Sequence, residues 1–373
     1  MRVIIVSAMV AGLLAAQAHA SAYSDFNKAI SARNDGNSDE SVRLLSLVLS
    51  EPGLSDGLRP TAFLMRAEAY VDLKKLDLAL ADFSGSLRLN PDNYIAFVER
   101  GDLYFRREEL DLAREDYIAA CKLRPEQWRP YANLGQLSVR QGKLDDALKY
   151  YDMGLEAMPD VLDFHVLRSQ AYRLQGQYEK ASDEAELAIG RNRRYAEAYL
   201  ARAQVEDDSG STEAAMADFD RAHDMDSSDL KISLYRGIAQ WMRGRYVDAA
   251  ESFRGGTEAY MLIWRFLANA KLAGSGAKSS EDAKKFSETV WPAPIVQMIA
   301  GTVQPGAVLA VATNSVGYDR IAKTCEADFY VGEWQVLHGQ TAAGKALMDH
   351  AANECPLGFA ERSGARVEMG RLP

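Results

Sequence analysis

The chain has 373 residues, 47% hydrophobic and 26% charged, an ordinary soluble composition. Its formal net charge of −10, with no basic stripe, excludes a phosphate-backbone binder, so neither nucleic acid nor an anionic membrane surface is an expected partner. Residues 1–20 read as a targeting segment: Arg2, an apolar run from Val3 to Ala16, then Ala18-His19-Ala20. Cleavage is expected after Ala20; the run is short for a span of about 20 residues, and the alternative is an uncleaved anchor. Residue 21 is Ser and no cysteine lies near, so lipid attachment is not expected, and no later segment is apolar enough to span a membrane.

Residues 21–59 read as a degenerate first helical hairpin. Phe26, Ala29, Ile30 and Val42-Leu45-Leu49 give the apolar stripes, and Asn34-Asp35-Gly36-Asn37 gives the turn. A terminal unit of a stack is atypical because one of its faces meets water.

Residues 60–263 contain six copies of one pattern. Phe63, Arg66-Ala67, Tyr70, Ala79, Asp82-Phe83, Ser86 and Pro91 recur 34 residues later as Phe97, Arg100-Gly101, Tyr104, Ala113, Asp116-Tyr117, Ala120 and Pro125. The register continues through Tyr131, Leu134-Gly135, Ala147, Tyr151 and Pro159, then His165, Arg168-Ser169, Tyr172, Ala181 and Ala185. It ends with Tyr199, Arg202-Ala203, Ala215 and Phe219, followed by Arg236-Gly237, Ala249 and Phe253. A period of this length signals stacked supersecondary units. Each unit carries two apolar patterns at helical spacing, and its small residue lets the two helices approach closely. No single hairpin can bury its apolar face alone, so neighbours must stack.

This alternation of large, small and aromatic positions closed by proline resembles the tetratricopeptide repeat (TPR). The resemblance implies an all-α fold, an α-solenoid of stacked antiparallel helix pairs with a divergent C-terminal helical region.

Within the repeats, Arg66, Arg100, Arg168, Arg202 and Arg236 stand sixteen residues before Asp82, Asp116, Glu184, Asp218 and Ser252. The copy without arginine has Leu134, and its partner position, Tyr150, is also uncharged. This predicts ion pairs inside each repeat, because the planar guanidinium meets a carboxylate bidentately. The alternative is a solvated charged face.

Residues 264–324 lose the pattern. Trp264, Leu267-Ala268 and Leu272 predict one helix, Gly274-Ser275-Gly276 a loop, and Ala283-Phe286 a second helix. Trp291-Pro292-Ala293-Pro294 stops helical structure, and Ile295 to Val303 with Ala307 to Ala312 form a short pair around Pro305-Gly306. Residues 325–373 are read as a last TPR-like hairpin and a capping helix. Trp291-Pro-Ala-Pro, Phe329-Tyr-Val-Gly-Glu-Trp, Gly339 and Phe359-Ala-Glu resemble the C-terminal part of NlpI-type TPR proteins. Those are envelope lipoproteins that gather peptidoglycan hydrolases and a periplasmic protease, and they can be dimeric. The present chain has no lipobox cysteine, so the soluble periplasm is the expected location.

Cys325 falls at the start of that hairpin and Cys355 just before its closing Pro356, at the same end of an antiparallel pair. In an exported protein this predicts a Cys325–Cys355 disulfide; the alternative is two buried thiols. Cys121 reads as an inert core thiol.

The search for chemistry is negative. Gly274-Ser-Gly-Ala-Lys278-Ser279 lacks the glycines of a phosphate loop, and His165, His223, His338 and His350 form no metal-ligand pattern. Neither a cofactor nor a catalytic or metal-binding residue is expected.

In the resembled family, partners lie in a groove lined by first helices. The stripe there would hold Arg129, Gln136, Arg140, Gln170, Arg173, Gln204, Asp207 and Asp208 and end at Trp241. The alternative is that these residues merely solvate the surface. The expected function is a non-enzymatic scaffold or adaptor in the bacterial cell envelope that binds proteins or peptides. The alternatives are a periplasmic peptide-binding chaperone or secretion accessory protein, and an enzyme with an unrecognised site in 290–325.

Overall fold

The computed structural model describes residues 21–273, 281–286 and 290–372. The targeting segment 1–20 and the glycine loop at 274–280 lie outside the described residues. All regular structure among the described residues is helical. Two compact units divide the chain. The first holds the described residues up to Leu137 with Glu156–Pro159; the second holds Ser138–Leu155 and the chain from Asp160 on.

In the first unit, α1 (residues 21–34) and α2 (Ser38–Ser50) form the opening hairpin. Its turn closes where the Asn37 side chain accepts from the Glu40 N–H, a polar N-cap at the predicted turn. The paired helices α3 (Leu58–Asp72) and α4 (Leu76–Leu89) follow, then α5 (Tyr94–Arg106) and α6 (Leu110–Leu123), then the start of α7 (Trp128–Arg140). Ala67, Ala79 and Phe83 are wholly buried, which places the repeat's small and aromatic positions in the core. The small residue is required: a Cβ on Gly101 would stand 2.7 Å from the Tyr117 ring.

The second unit takes up most of α8 (Leu144–Ala157), then the pairs α9 (Asp163–Leu174) with α10 (Tyr178–Arg191), and α11 (Ala196–Ser209) with α12 (Thr212–Met225). α13 (Leu230–Met242) pairs with a shortened α14 (Tyr246–Ser252). Here Gly237 answers to Gly101, since a Cβ would meet Phe253 at 2.4 Å.

The turn between the two helices of a repeat holds one left-handed residue at 34-residue spacing. Gly142, Gly176, Gly210 and Gly244 occupy it with φ between 72° and 89°, but Lys74 (57°) and Glu108 (62°) occupy it in the first two copies. Glycine adopts this conformation without a steric penalty and the other two do not.

Beyond the repeats come α15 (Ala259–Ala273), α16 (Glu281–Lys285), α17 (Ala293–Ile299) and α18 (Pro305–Thr313). The chain closes with α19 (Gly317–Leu337), α20 (Thr341–Glu354) and α21 (Ala360–Arg371). α17 and α18 lie on either side of Gln304, and a single helix, α21, follows Pro356. α19 runs unbroken for 21 residues, from Gly317 to Leu337, through the expected boundary between 324 and 325. Nothing in 317–326 breaks a helix, and Val316-Gly317 starts it instead. Cys325 and Cys355 are joined by a disulfide with their Cα atoms 5.4 Å apart. Around it lies the largest hydrophobic core, in which Trp241, Trp264, Phe329 and Tyr330 pack ring against ring.

Candidate functional site

The arginine pattern forms ion pairs, and each arginine has a second partner. Arg66 and Arg100 grip Asp82 and Asp116 bidentately, at 2.7 and 2.9 Å and at 2.8 and 2.7 Å. Arg202 does the same with Asp218, and Arg168 pairs with Glu184 at 2.9 Å, which also binds the buried His165 ring at 2.7 Å. Each of these guanidiniums also faces the preceding hairpin: Arg66 meets Ser46, twenty residues back, and Arg100 meets Ser84, Arg168 meets Asp152 and Arg202 meets Glu186, each sixteen back. In the last copy the weights reverse. Arg236 bonds the Ser252 hydroxyl at 3.0 Å and directs its ion pair back to Asp220 at 2.7 Å. Counting sixteen residues forward from each arginine finds the partner inside the repeat and misses the second one, because the residue that bridges repeats stands two positions after the acid.

The stripe of first-helix residues divides between the two units. In the first, Asp102 on α5 is the centre. It accepts from Tyr117 at 2.8 Å, from Asn133 at 2.7 Å and from Arg129 at 3.1 Å, while Arg129 also reaches Glu99 at 3.2 Å. Burial pushes the Asp102 carboxyl up from its ordinary range. Asp102, Arg106, Asn133 and the exposed Gln136 line an open pocket of about 260 Å³.

In the second unit the stripe is occupied by the chain itself. Arg140 binds Asp319 of α19 at 2.9 Å. Arg173, buried, binds Asp208 at 2.6 Å and faces the Gly358 carbonyl at 3.4 Å. Asp207 binds Arg243, Gln204 is buried and Gln170 is half-buried. Trp241 corrects the expectation of an exposed aromatic end. It is wholly buried, because α19 and α21 cover the face on which it stands; Phe329 packs edge-on against it and Arg371 lies over its ring.

A feature absent from the sequence reading lies under α21. α19 carries Glu326 and Glu333, and α21 carries Glu361 and Glu368, each pair seven residues and two turns apart on one face. In one layer, Lys271 lies 3.0 Å from Glu333 and hydrogen-bonds Glu368, which also receives Arg371 at 2.6 Å. In the other, Glu326 accepts from Tyr260 at 2.7 Å and Trp291 at 2.8 Å, and Glu361 from Tyr330 at 2.6 Å. Desolvation pushes Glu326 up to about 8 and Glu333 up to about 7, and raises Glu361 as well. A pocket of about 330 Å³ opens on the second layer. The spacing of seven is the signal the sequence offers, a weak one because acids on a helix are usually solvated.

Cys121 is half-buried and burial pushes its thiol up to about 12, as suits an unreactive cysteine. Among the described residues, no group of three or more His, Cys, Asp or Glu could hold a metal ion.

The sequence matches the tetratricopeptide repeat family over residues 64–127, 132–197, 167–229 and 200–261, just over half of the chain. The chain belongs to the tetratricopeptide repeat family. No curated protein matches it in sequence. Among solved structures, a TPR protein from Parabacteroides merdae ATCC 43184 is similar, with a TM-score of 0.59 and 18% identity. That match covers 67% of this chain and 99% of the other. The type IV pilus biogenesis factor PilW gives 0.44 at 18% identity, over 52% and 90% of the two chains. PilF of Pseudomonas aeruginosa gives 0.47 at 15% identity, over 59% and 98%. The first of these likenesses concerns the fold alone. The TPR fold is a protein–protein interaction scaffold.

Proposed function

We propose that this TPR chain is a non-enzymatic adaptor of the bacterial cell envelope that holds a partner protein on the first-helix face of its N-terminal repeats. The observation that carries the reading is a contrast between equivalent positions. Arg140, Arg173 and Trp241 are engaged by the chain's own C-terminal region, whereas Gln136 lines an open pocket around Asp102, whose carboxylate Arg129 holds. Its mixed donors and acceptors suit the backbone and polar side chains of an extended segment.

Support for the envelope comes from the targeting segment read at 1–20 and from the disulfide, which forms in oxidising compartments. Among the described residues no helix is long and apolar enough to cross a membrane. The resemblance of the C-terminal part to NlpI-type proteins makes peptidoglycan hydrolases and envelope proteases the first partners to try, with a second copy of the chain as a third.

A photo-crosslinking residue at position 136 in the full-length protein, expressed in its host, tests the reading. It should capture a periplasmic hydrolase or protease, and Arg129→Glu should abolish the capture while the same probe at position 170 captures nothing. An exported segment captured in place of a folded partner would favour the chaperone alternative. Equal capture at both positions, or none at 136, would overturn the assignment of the face.

A further inference from the structure

We propose that the pocket between α13, α15, α19 and α21 is a binding site for an alkylammonium group, carried either by a free amine or by a lysine side chain. The inference does not rest on which protein the repeats hold. It rests on the repetition of one chemical arrangement two helical turns apart.

The layer of Glu333 and Glu368 shows what the fold does with two facing buried carboxylates. It places the ammonium of Lys271 between them, 3.0 Å from Glu333 and in a hydrogen bond with Glu368. Ionised carboxylates removed from water need such a partner, because desolvation disfavours their charge by several kcal/mol. The layer of Glu326 and Glu361 repeats the acids on the same two helix faces, but its hydrogen bonds come from Tyr260, Trp291 and Tyr330, all neutral. This layer, and not the one that holds Lys271, meets a pocket of about 330 Å³.

The walls fit a cation on an apolar stem. Tyr235, Ile238, Trp264 and Phe359 supply hydrocarbon and aromatic faces, and an ammonium is attracted to such faces as well as to carboxylates. The one arginine in the pocket wall, Arg173, is held by Asp208 at 2.6 Å, and Arg140 nearby binds Asp319 at 2.9 Å. Arg140 lowers the Glu326 carboxyl only as the last of its influences, after desolvation, the Glu361 charge and the two hydrogen bonds. At neutral pH the pair therefore retains a proton, which an arriving ammonium displaces. Binding should release protons and tighten as pH rises through the titration of Glu326, while the ligand's own ammonium stays charged.

Calorimetry on the full-length protein with n-pentylamine, 1-pentanol and pentanoate, at about pH 6 and about pH 8.5, tests this. Pentylammonium should bind at least about tenfold more tightly than the alcohol at the higher pH, and weaken by a similar factor at the lower, where its binding displaces the retained proton. Glu326→Gln should remove that preference. The comparison of ligands on the native protein stands even if the variant fails to fold. A tripeptide with a central lysine, set against one with norleucine, separates the sources. Lysine-dependent binding assigns the site to a partner's side chain, and its absence beside bound pentylammonium assigns it to a free amine. Equal or tighter binding of the alcohol or of pentanoate, or no binding by any amine, overturns the proposal.

Discussion

Arg140 of α7 donates a hydrogen bond to Asp319 of α19 at 2.9 Å, across 179 residues of sequence. Arg140 stands on the first-helix stripe expected to meet a partner, and what it meets is the chain's own C-terminal region. Asp319 also receives Lys323 at 2.6 Å, so the contact is a small network and not a lone surface pair. Both groups are partly exposed, and the pairwise coupling should be about 1 kcal/mol or less. Arg140→Glu should therefore accelerate amide hydrogen exchange over 317–323 more than it lowers the melting temperature, and Asp319→Arg in the same molecule should restore protection. Uniform protection in the single variant would show that the contact holds nothing in place.

Arg100 and Asp116 make a heavier contribution. The Asp116 side chain is only 6% exposed, and burial raises its carboxyl despite the bidentate arginine. Arg100→Ala leaves that carboxylate buried without its cation and should cost about 2–4 kcal/mol. Arg236→Ala should cost less, because its ionic partner Asp220 is half-exposed and Ser252 is neutral. Chemical denaturation of both variants, compared by midpoint, checks the order.

Lys74 sits at φ 57° where the later repeats have glycine, and it is exposed. Lys74→Gly removes the left-handed penalty of about 1–2 kcal/mol and gives back part of it as unfolded-chain entropy. A net gain of about 0.5–1 kcal/mol is expected, read as a higher melting temperature. A loss would mean that the lysine side chain makes a contact worth more than the strain.

Reduction of the Cys325–Cys355 bond opens a loop of 30 residues. The chain-entropy relation for such a loop gives about 3.6 kcal/mol. The Cys325→Ser, Cys355→Ser double variant should melt earlier, with the loss of protection concentrated in α19 to α21 and not in α3 to α6. Mass spectrometry of the exported wild-type protein should show the bridge intact.

The repeats were legible because one interval, 34 residues, governs both buried positions and turns. Phe83 and Ala67 went to the core, and the ion pairs followed from counting sixteen residues between charges. The stripe of candidate contacts was only half legible. Position within a repeat tells which way Trp241 points, but α19 and α21, which cover it, come more than 75 residues later and share no period with it. The buried glutamates were hidden for the same reason. A helical acid reads as solvated until its neighbours are known, and the neighbours of Glu326 come from α15, α21 and the Trp291 turn.

The same glutamates give the protein a pH dependence with a definite sign. Glu326 is raised to about 8 and Glu333 to about 7, both chiefly by desolvation, against an ordinary value of 4.5. Between 4.5 and those values the folded state holds protons that the unfolded chain has lost. Stability must then fall as pH rises through that window, and the contribution is fully present only below it. The groups facing Glu326 are Glu361, Tyr260, Trp291 and, more weakly, Arg140; Glu361 is the other carboxyl among them, and burial raises it too, so it acts in the same direction. Glu326→Gln keeps an acceptor for Tyr260 and Trp291 but carries no charge. It should raise stability at about pH 8 by roughly 1–3 kcal/mol and change little at about pH 5. Melting temperatures of wild type and variant across that range should therefore converge in acid and separate in base. Parallel curves would show that Glu326 is already ionised in the fold and that its carboxylate is compensated by the donors around it.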